Sequence, residues 1–244
     1  MKFQKVDELK KELHHLQPLP PALIKNLHQY LLVEWTYHSN AMEGNTLSLM
    51  ETKIVLEEGI TIKDKNITEH LEVTNHVKAI QCIEEQVREQ VSLSLALIKH
   101  VHYLLYRNID ADNAGYFRQK DVRTTRREHA PPHFFEVVDQ VDKLLVWHDT
   151  FRKKLHIIEL VALFHAKFMR CHPFVHGNGR VARLLMNMLL MKQGYPPAII
   201  RVENKTEYDE AVEAASKKGA YEDLIQIVER AVKDSLRLYI QSVT

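Results

Sequence analysis

Cysteine, glycine and proline are scarce in this chain of 244 residues. Its two cysteines, Cys82 and Cys171, exclude a disulfide scaffold and a cysteine-rich zinc module. Seven glycines and eight prolines argue against a collagen, a linker or a turn-rich all-β protein. No apolar run approaches the length of about 18 residues that a membrane-spanning helix needs. Because the amino terminus also lacks an apolar signal-peptide core, we expect a cytoplasmic, reduced protein that makes no membrane contact.

An excess of charge of either sign is also missing. Lysine and arginine total 33 against 32 aspartate and glutamate residues, for a net charge of +1. The chain as a whole therefore has no electrostatic attraction to nucleic acid, and we expect no nucleic-acid partner. Hydrophobic residues make up 45% and charged residues 27%, a balance that favours a folded globular protein over a disordered one.

Most of the chain shows helical spacing of its apolar residues. In residues 21–38, Leu23, Leu27, Tyr30 and Leu31 fall on adjacent turns, and a proline pair at 20–21 suits the first turn. The same pattern predicts seven more helices, at residues 67–88, 92–107, 132–149, 155–170, 178–193, 206–218 and 221–242.

Residues 115–132 depart from this pattern. They are polar and basic, have β-branched residues around Thr124 and Thr125, and end at Pro131 and Pro132. We predict a short β-hairpin or an extended loop between two helices. It is either a solvated loop or a docking segment for an extended peptide, since an exposed strand edge offers backbone hydrogen bonds. Five arginines lie in or near it: Arg118, Arg123, Arg126, Arg127 and Arg152.

The segment 172–183, HPFVHGNGRVAR, combines residue types that suit phosphate chemistry. A helical pattern follows at once, so the Gly-Asn-Gly at 177–179 falls at a helix N-terminus, where free N–H groups and the helix dipole attract anions. Arg180 and Arg183 lie on neighbouring turns and can fork onto phosphate oxygens. His172 can act as a general base near neutral pH. Each feature alone has an ordinary structural explanation, but together they predict transfer at a phosphorus centre.

Residues 172–183 resemble the signature of the Fic family, which reads HPFx, then Asp or Glu, then GNGRxxR. The similarity extends from about residue 30 to 220 and includes Gly115, Arg118 and the two prolines at 131–132. It implies an all-α Fic-fold helical bundle with a short β-hairpin flap at about 115–132. We expect one compact unit, with N-terminal helices and an inhibitory helix motif in 1–60 and the core with the C-terminal helices in 61–244.

The resemblance also implies an activity, the transfer of AMP from ATP to a Ser, Thr or Tyr hydroxyl of a target protein. The target would dock on the flap near Val122 and Arg127, and His172 would take the proton of its hydroxyl. Asn187 would lie near the adenosine, or is an ordinary polar helix residue. The nucleotide-binding positions carried over in this way are Gly177, Asn178, Gly179, Arg180 at the β-phosphate, Arg183 at the γ-phosphate, and Asn187.

A second motif resembles the inhibitory pattern of one Fic class. Ser39, Glu43 and Gly44 match it, although a Ser and a Glu four residues apart have little meaning on their own. In the family this glutamate pairs with the second signature arginine, here Arg183. The carboxylate would block the γ-phosphate site, both by occupying the guanidinium and by placing like charge there.

His176 departs from the family pattern, because the family has a metal-binding Asp or Glu at this position. The family's divalent metal, Mg²⁺ or Mn²⁺, is therefore in question, since imidazole is a poor ligand for Mg²⁺. Three outcomes are open: the site takes Mn²⁺, Zn²⁺ or another metal that accepts imidazole; a protonated His176 supplies the positive charge itself; or AMP transfer is weak.

Two alternatives to an autoinhibited AMP-transferase follow from these residues. One is the reverse reaction, hydrolysis of AMP from a modified protein, with Glu43 as a catalytic group that positions water. The other is a nucleotide-binding or interaction module without catalysis, which His176 motivates. Self-association into a homodimer is a further expectation from the resemblance.

Overall fold

The computed structural model describes residues 2–122 and 131–243. The prediction of an all-α chain is confirmed in these ranges, which contain ten α-helices and two short 3-10 turns but no β-strand. The helices, numbered in chain order, are α1 (Gln4–His15), α2 (Pro21–Ala41), α3 (Leu49–Glu58), α4 (Ile67–Arg88), α5 (Leu95–Tyr106), α6 (Val137–Phe151), α7 (Ile157–Cys171), α8 (Asn178–Lys192), α9 (Lys205–Lys218) and α10 (Glu222–Gln241).

The eight helices predicted from apolar spacing are present with small shifts at their ends, whereas α1 and α3 were not predicted individually. Helix α3 begins with a capping box in which Ser48 accepts from the backbone of Glu51 and the Glu51 carboxylate accepts from the backbone of Ser48. The segment predicted as a helix from residue 132 opens with a 3-10 turn, Phe134–Glu136, before α6. Among the described residues no helix has both the length and the apolarity that a bilayer crossing requires.

The expected β-hairpin is not seen in the described part of its segment. Residues 115–122 and 131–132 form turns and irregular backbone. Arg123, Arg126 and Arg127, together with Thr124 and Thr125, lie outside the described residues. The described flanks hold together instead through the side chain of Asp121, which accepts from the backbone N–H of Phe134 at 2.8 Å and contacts His133 at 2.9 Å.

Helix α8 lies at the centre of the bundle. It packs against α2, α4, α5 and α7, and α7 in turn packs against α6, α9 and α10. Every residue of α8 from Asn178 to Leu190 is buried. This includes polar side chains that must find partners inside the protein, because a buried polar group without a hydrogen bond is costly. Those partners determine the geometry of the site.

The turn between α7 and α8 depends on two residues with left-handed backbone. His172 ends α7 with φ 44° and ψ 58°, and Gly177 precedes α8 with φ 74°. A side chain at Gly177 would also collide with a neighbour, since an added Cβ would lie 2.4 Å from the Tyr106 ring. Glycine therefore suits position 177 for both backbone and steric reasons, and the turn brings the His172 backbone beside the start of α8.

Candidate active site

A cleft of about 530 Å³ opens beside the start of α8, a volume within the range of roughly 300–1,000 Å³ typical of small-molecule sites. Its walls come from residues 42–44 after α2, Val122, the end of α7 and the turn that follows it, the start of α8 and helix α9. The sequence-predicted residues that line it are Glu43, Gly44, His172, His176, Gly177, Asn178, Gly179 and Arg183.

His172 is half-buried at the cleft, and its backbone is fixed by Arg118. The His172 carbonyl accepts from Arg118 Nε at 2.9 Å, and the Arg118 backbone N–H donates to the Pro173 carbonyl at 2.9 Å. The same buried guanidinium donates to the carbonyl of Pro132. One arginine therefore ties the turn that carries His172 to both sides of the segment 115–132.

Phe174 anchors the α7–α8 turn in the hydrophobic core. Its ring is fully buried and stacks on His102 with centroids 3.8 Å apart. The backbone N–H of Gly115 donates to His102 Nδ1 at 2.9 Å, so Nε2 carries the proton and donates to the His176 carbonyl at 3.2 Å. Burial lowers the pKa of His102 to about 4. The neutral His102 ring thus holds the α7–α8 turn at two points, the Phe174 ring and the His176 carbonyl.

The side chain of Asn178 serves the turn rather than the cleft. Its Oδ1 accepts from the Phe174 backbone N–H at 3.0 Å, and its Nδ2 donates to the Phe174 carbonyl at 2.8 Å. What residues 177–179 offer the cleft is backbone, because the first N–H groups of a helix have no acceptor within it. Together with the positive end of the helix dipole, these groups suit an anion.

Arg183 and Glu43 form the ion pair that the resemblance implies. Arg183 Nη2 lies 2.8 Å from Glu43 Oε1, and the guanidinium also donates to the Ser39 hydroxyl at 3.1 Å and the Ser39 carbonyl at 2.8 Å. Burial raises the pKa of the Glu43 carboxyl, but the charges of Arg183 and Arg180 together outweigh it and hold the pKa below its ordinary value. Glu43 is therefore ionised at neutral pH.

The Glu43 carboxylate also lies directly over the first turn of α8. A Cβ added to Gly179 would be 2.5 Å from Glu43 Oε1 and 3.0 Å from Arg183 Nη1. The carboxylate thus lies close beside the N-terminus of α8, and glycine at 179 leaves room for this close approach.

The structure does not bring Arg180 to the cleft. Its guanidinium points towards α2 and α4, where Nη1 donates to Glu72 Oε1 at 3.0 Å and to Asn40 Oδ1 at 3.2 Å. Nη2 donates to the Tyr106 hydroxyl. The side chain is buried and hydrogen-bonded to these partners, and its contact with the β-phosphate stays a prediction.

Asn187 is likewise held away from the cleft. Its Oδ1 accepts from the Ala198 backbone N–H at 2.8 Å and its Nδ2 donates to the Ala198 carbonyl at 3.0 Å. Both ends of the amide pair with one backbone residue, which clamps the segment after α8 to the helix. The ordinary structural interpretation of Asn187 therefore fits better than the adenosine contact.

Several residues of this network carry no motif and were not predicted. Tyr208 on α9 lies with its hydroxyl 3.5 Å from Arg183 Nη1 and 2.7 Å from His165 Nε2. Tyr106 and Glu72 hold Arg180, as described above. Glutamates and tyrosines are common in helices such as α4 and α5. Only the fold shows which of them contact the signature arginines.

The side chains at the cleft do not fit Mg²⁺. His176 is exposed there and offers an imidazole, while Mg²⁺ prefers several hard oxygen ligands in octahedral geometry. The nearby carboxylates of Asp209 and Glu213 already pair with Lys205 and Lys217. In residues 2–122 and 131–243, no group of three His, Cys, Asp or Glu residues is arranged to hold a metal ion.

Known proteins are similar to this chain in both sequence and architecture. A model of the Fic/DOC family matches residues 92–190, from just before α5 to the end of α8. Fic-1 from Caenorhabditis elegans has a solved structure that is 30% identical, with a TM-score of 0.89, and the alignment covers 98% of this chain and 71% of that one. The chain belongs to the Fic/DOC family. A Fic domain containing signaling protein from Bacteroides thetaiotaomicron is 26% identical, with a TM-score of 0.89, and the alignment covers 98% of this chain and 96% of that one.

The curated relatives of this Fic chain are longer proteins. The protein adenylyltransferase fic-1 of Caenorhabditis elegans is 32% identical over 241 residues, which is 98% of this chain but 46% of the relative. The protein adenylyltransferase Fic of Nematostella vectensis is 31% identical, over 99% of this chain and 56% of the relative. The Fic chain thus spans about half the length of these proteins.

Proposed function

We propose that the chain is a protein adenylyltransferase that transfers AMP from ATP to a Ser, Thr or Tyr hydroxyl of a target protein. The observation that carries this proposal is the shared cleft, in which His172 and the open N-terminus of α8 lie beside the Glu43–Arg183 pair. The names of the curated relatives support the same reaction.

The reaction follows from what each group can do. The target hydroxyl oxygen forms a bond to the α-phosphorus of ATP, and the bond from that phosphorus to the bridging oxygen breaks, which releases pyrophosphate. His172 takes the proton of the hydroxyl as the new bond forms. The backbone N–H groups at the start of α8 stabilise the charge on the phosphate oxygens, because they are aimed at the cleft before the reaction begins.

Glu43 keeps this site inactive in our proposal. Its carboxylate occupies Arg183 Nη2 and lies against Gly179, so a γ-phosphate arriving there meets like charge and an engaged donor. ATP then binds only in a pose that is unsuited to transfer. Activation requires that the pair of Glu43 and Arg183 separates.

The direct test is self-labelling with ATP that carries a label on its α-phosphate. We expect Glu43→Gly to raise labelling above the wild type, and the added change His172→Ala to remove it. Glu43→Gln is the matched control for the charge, because it keeps the side-chain volume and removes the carboxylate. Labelling by the His172→Ala, Glu43→Gly double variant at the level of Glu43→Gly would contradict the role of His172.

The target is proposed to dock along the segment that begins at Val122. Val122 lines the cleft, and Arg118 and Asp121 fix the backbone on either side of the undescribed residues 123–130. A target peptide held beside Val122 would bring its hydroxyl to the cleft that His172 also lines. We propose this segment as the contact that positions the target.

The position of Glu43 also favours a second candidate, hydrolysis of AMP from a modified protein. Glu43 lines the cleft with about a third of its side chain exposed (33%), so its carboxylate could orient a water molecule towards a bound AMP group. The two reactions respond oppositely to Glu43→Gly, which raises transfer but abolishes removal. Release of AMP from a pre-labelled target, measured for the wild type and for Glu43→Gly, distinguishes the two reactions.

The third candidate is a nucleotide-binding module without catalysis, and His176 is the observation that favours it. Glu43→Gly assayed with Mg²⁺, Mn²⁺ and Zn²⁺ in turn distinguishes it from the enzyme. Labelling with any of these metals supports the transferase. Measurable ATP binding without labelling in all three would support the module instead.

A further inference from the structure

A second cavity, of about 420 Å³, lies at the opposite end of α8 from the cleft. It is bounded by the last turns of α6 and α8, the first turn of α7, helix α1 and the backbone before α5. Met188, the first lining residue on α8, lies ten residues beyond Asn178, a distance of about 15 Å at 1.5 Å per residue. The cavity is therefore not part of the proposed catalytic site.

Three cations from three different elements meet at this cavity: Lys10 on α1, Arg152 after α6 and Lys192 at the end of α8. Among the lining residues that the structure describes, Asp149 supplies the one carboxylate, of opposite charge to these cations. It lies 3.5 Å from Arg152 Nε and 3.4 Å from His148 Nδ1. Burial lowers the pKa of His148, so this ring is neutral at pH 7 and the cavity carries a net positive charge.

The two lysines retain hydrogen-bonding capacity. Lys10 Nζ donates to the Gln193 carbonyl at 2.6 Å and lies 4.2 Å from the centre of the Tyr195 ring, while Lys192 Nζ donates to the Val91 carbonyl. An ammonium group has three N–H donors, so each can still donate to a ligand. Burial lowers the pKa of both lysines; the charge of Asp7 partly offsets this for Lys10, whereas Arg152 lowers the pKa of Lys192 further.

Part of the remaining wall is apolar, beside the polar side chains of Ser92, His156 and Gln193. Behind the charged rim lie side chains of α7, α8 and the segment before α5, namely Leu93, Ile157, Leu160, Met188 and Leu189. A free inorganic anion would use only the rim. A ligand with an apolar body would bury that body against these side chains, at about 25 cal/mol for each Å² of apolar surface removed from water.

We propose that this cavity is a binding site for a small organic phosphate, a phosphomonoester with an aromatic or apolar body. Arg152 offers the planar fork that matches two phosphate oxygens, and Lys10 and Lys192 offer point charges on the other sides. The apolar wall accommodates the body, and the volume suits a ligand of about mononucleotide size. This site is independent of the proposed transfer reaction.

The test uses the whole chain labelled with ¹⁵N and two probes, phenyl phosphate and inorganic phosphate. Amide resonances of Leu93, Ile157 and Gln193 report on the cavity, and those of Gly177 and Gly179 report on the cleft. We expect phenyl phosphate to shift the cavity amides and to bind more tightly than inorganic phosphate does. Arg152→Gln should weaken phenyl phosphate about tenfold, the equivalent of about 1.4 kcal/mol.

The matched control is Lys153→Gln, which removes the same charge from the next residue, outside the cavity lining. It should leave the affinity for phenyl phosphate unchanged. Arg152 is a safe position for substitution because about half of its side chain is exposed (54%). Cavity amides that do not move at about 10 mM phenyl phosphate, equal weakening by the two variants, or equal affinity for the two probes would each overturn the proposal.

Discussion

Glu72 holds Arg180 in place, with Arg180 Nη1 at 3.0 Å from Glu72 Oε1. The other oxygen of the same carboxylate accepts from Asn45 Nδ2 at 2.9 Å. One side chain of α4 therefore joins the first signature arginine of α8 to the loop that follows Glu43. The position of the proposed inhibitory glutamate and the packing of the signature helix are thus coupled through a residue that belongs to neither motif.

Removing this carboxylate should destabilise the fold. Arg180 is 3% exposed, and Glu72→Gln removes the carboxylate charge that contacts it, a change that costs about 3 kcal/mol in comparable buried pairs. Glu84→Gln on the same helix is the matched control. Its partner is His28, and because that pair is exposed, the loss should stay below about 1 kcal/mol. Urea unfolding measures both, and equal losses in the two variants would contradict the role of Glu72.

Gly179→Ala should weaken ATP binding even when Glu43 is absent. The helical backbone at 179 accepts alanine, but the new Cβ projects towards the space where Glu43 and Arg183 meet. In the Glu43→Gly background this methyl group stands where an anion would approach the helix N-terminus, so the ATP affinity should fall by about tenfold or more. Isothermal titration of the Glu43→Gly protein, with and without Gly179→Ala, measures the ATP affinity. Similar affinities would show that phosphate does not approach the backbone at this residue.

The sequence was sufficient for eight of the ten helices that the structure describes and for part of the cleft lining. Apolar spacing predicted eight helices, and the Gly-Asn-Gly segment was correctly expected at a helix N-terminus, since both are local properties of the chain. The ion pair of Glu43 and Arg183 joins residues 140 positions apart. Only the resemblance to Fic proteins could connect them, because no local pattern reports such a contact.

The orientations of the buried polar side chains could not be predicted. Arg180 and Arg183 both lie near the start of α8, yet one faces Glu72 and the other faces Glu43. Their directions depend on which acceptors α2 and α4 present after the bundle has packed. Asn187 shows the same limit, since its amide pairs with the Ala198 backbone. The motif gives residue types and spacing, whereas partners on other helices decide which side chains reach the cleft.

His176→Asp should increase Mg²⁺-dependent labelling in the Glu43→Gly background. His176 is exposed at the cleft and offers nitrogen where Mg²⁺ prefers oxygen, so a carboxylate should improve the fit to this metal. Labelling rates with Mg²⁺, Mn²⁺ and Zn²⁺ measure the change, and the gain should be largest with Mg²⁺. His15→Asp, at an exposed histidine of α1 outside the cleft lining, is the matched control and should have no such effect. An unchanged or lower rate with Mg²⁺ would show that His176 is not simply a poor metal ligand.

Acidification should destabilise the fold through His102. Its pKa is about 4 in the folded chain because burial disfavours the charged ring, against an ordinary value of 6.5. Between pH 6.5 and 4 the unfolded chain binds a proton that the folded chain does not, so the free energy of unfolding rises with pH across this window. The contribution is complete above pH 6.5 and is lost as the pH falls to 4, a difference of roughly 3 kcal/mol.

Urea unfolding at pH 7, 6 and 5 measures this dependence, and His102→Gln isolates the part that belongs to His102. Burial also lowers the pKa of His76 and His148, so some dependence should remain in the variant. The comparison uses the slope with pH rather than the stability at one pH, because losing the stacking of His102 on Phe174 weakens the fold at every pH. A slope in His102→Gln as steep as that of the wild type would mean that His102 is not neutral when it holds the α7–α8 turn.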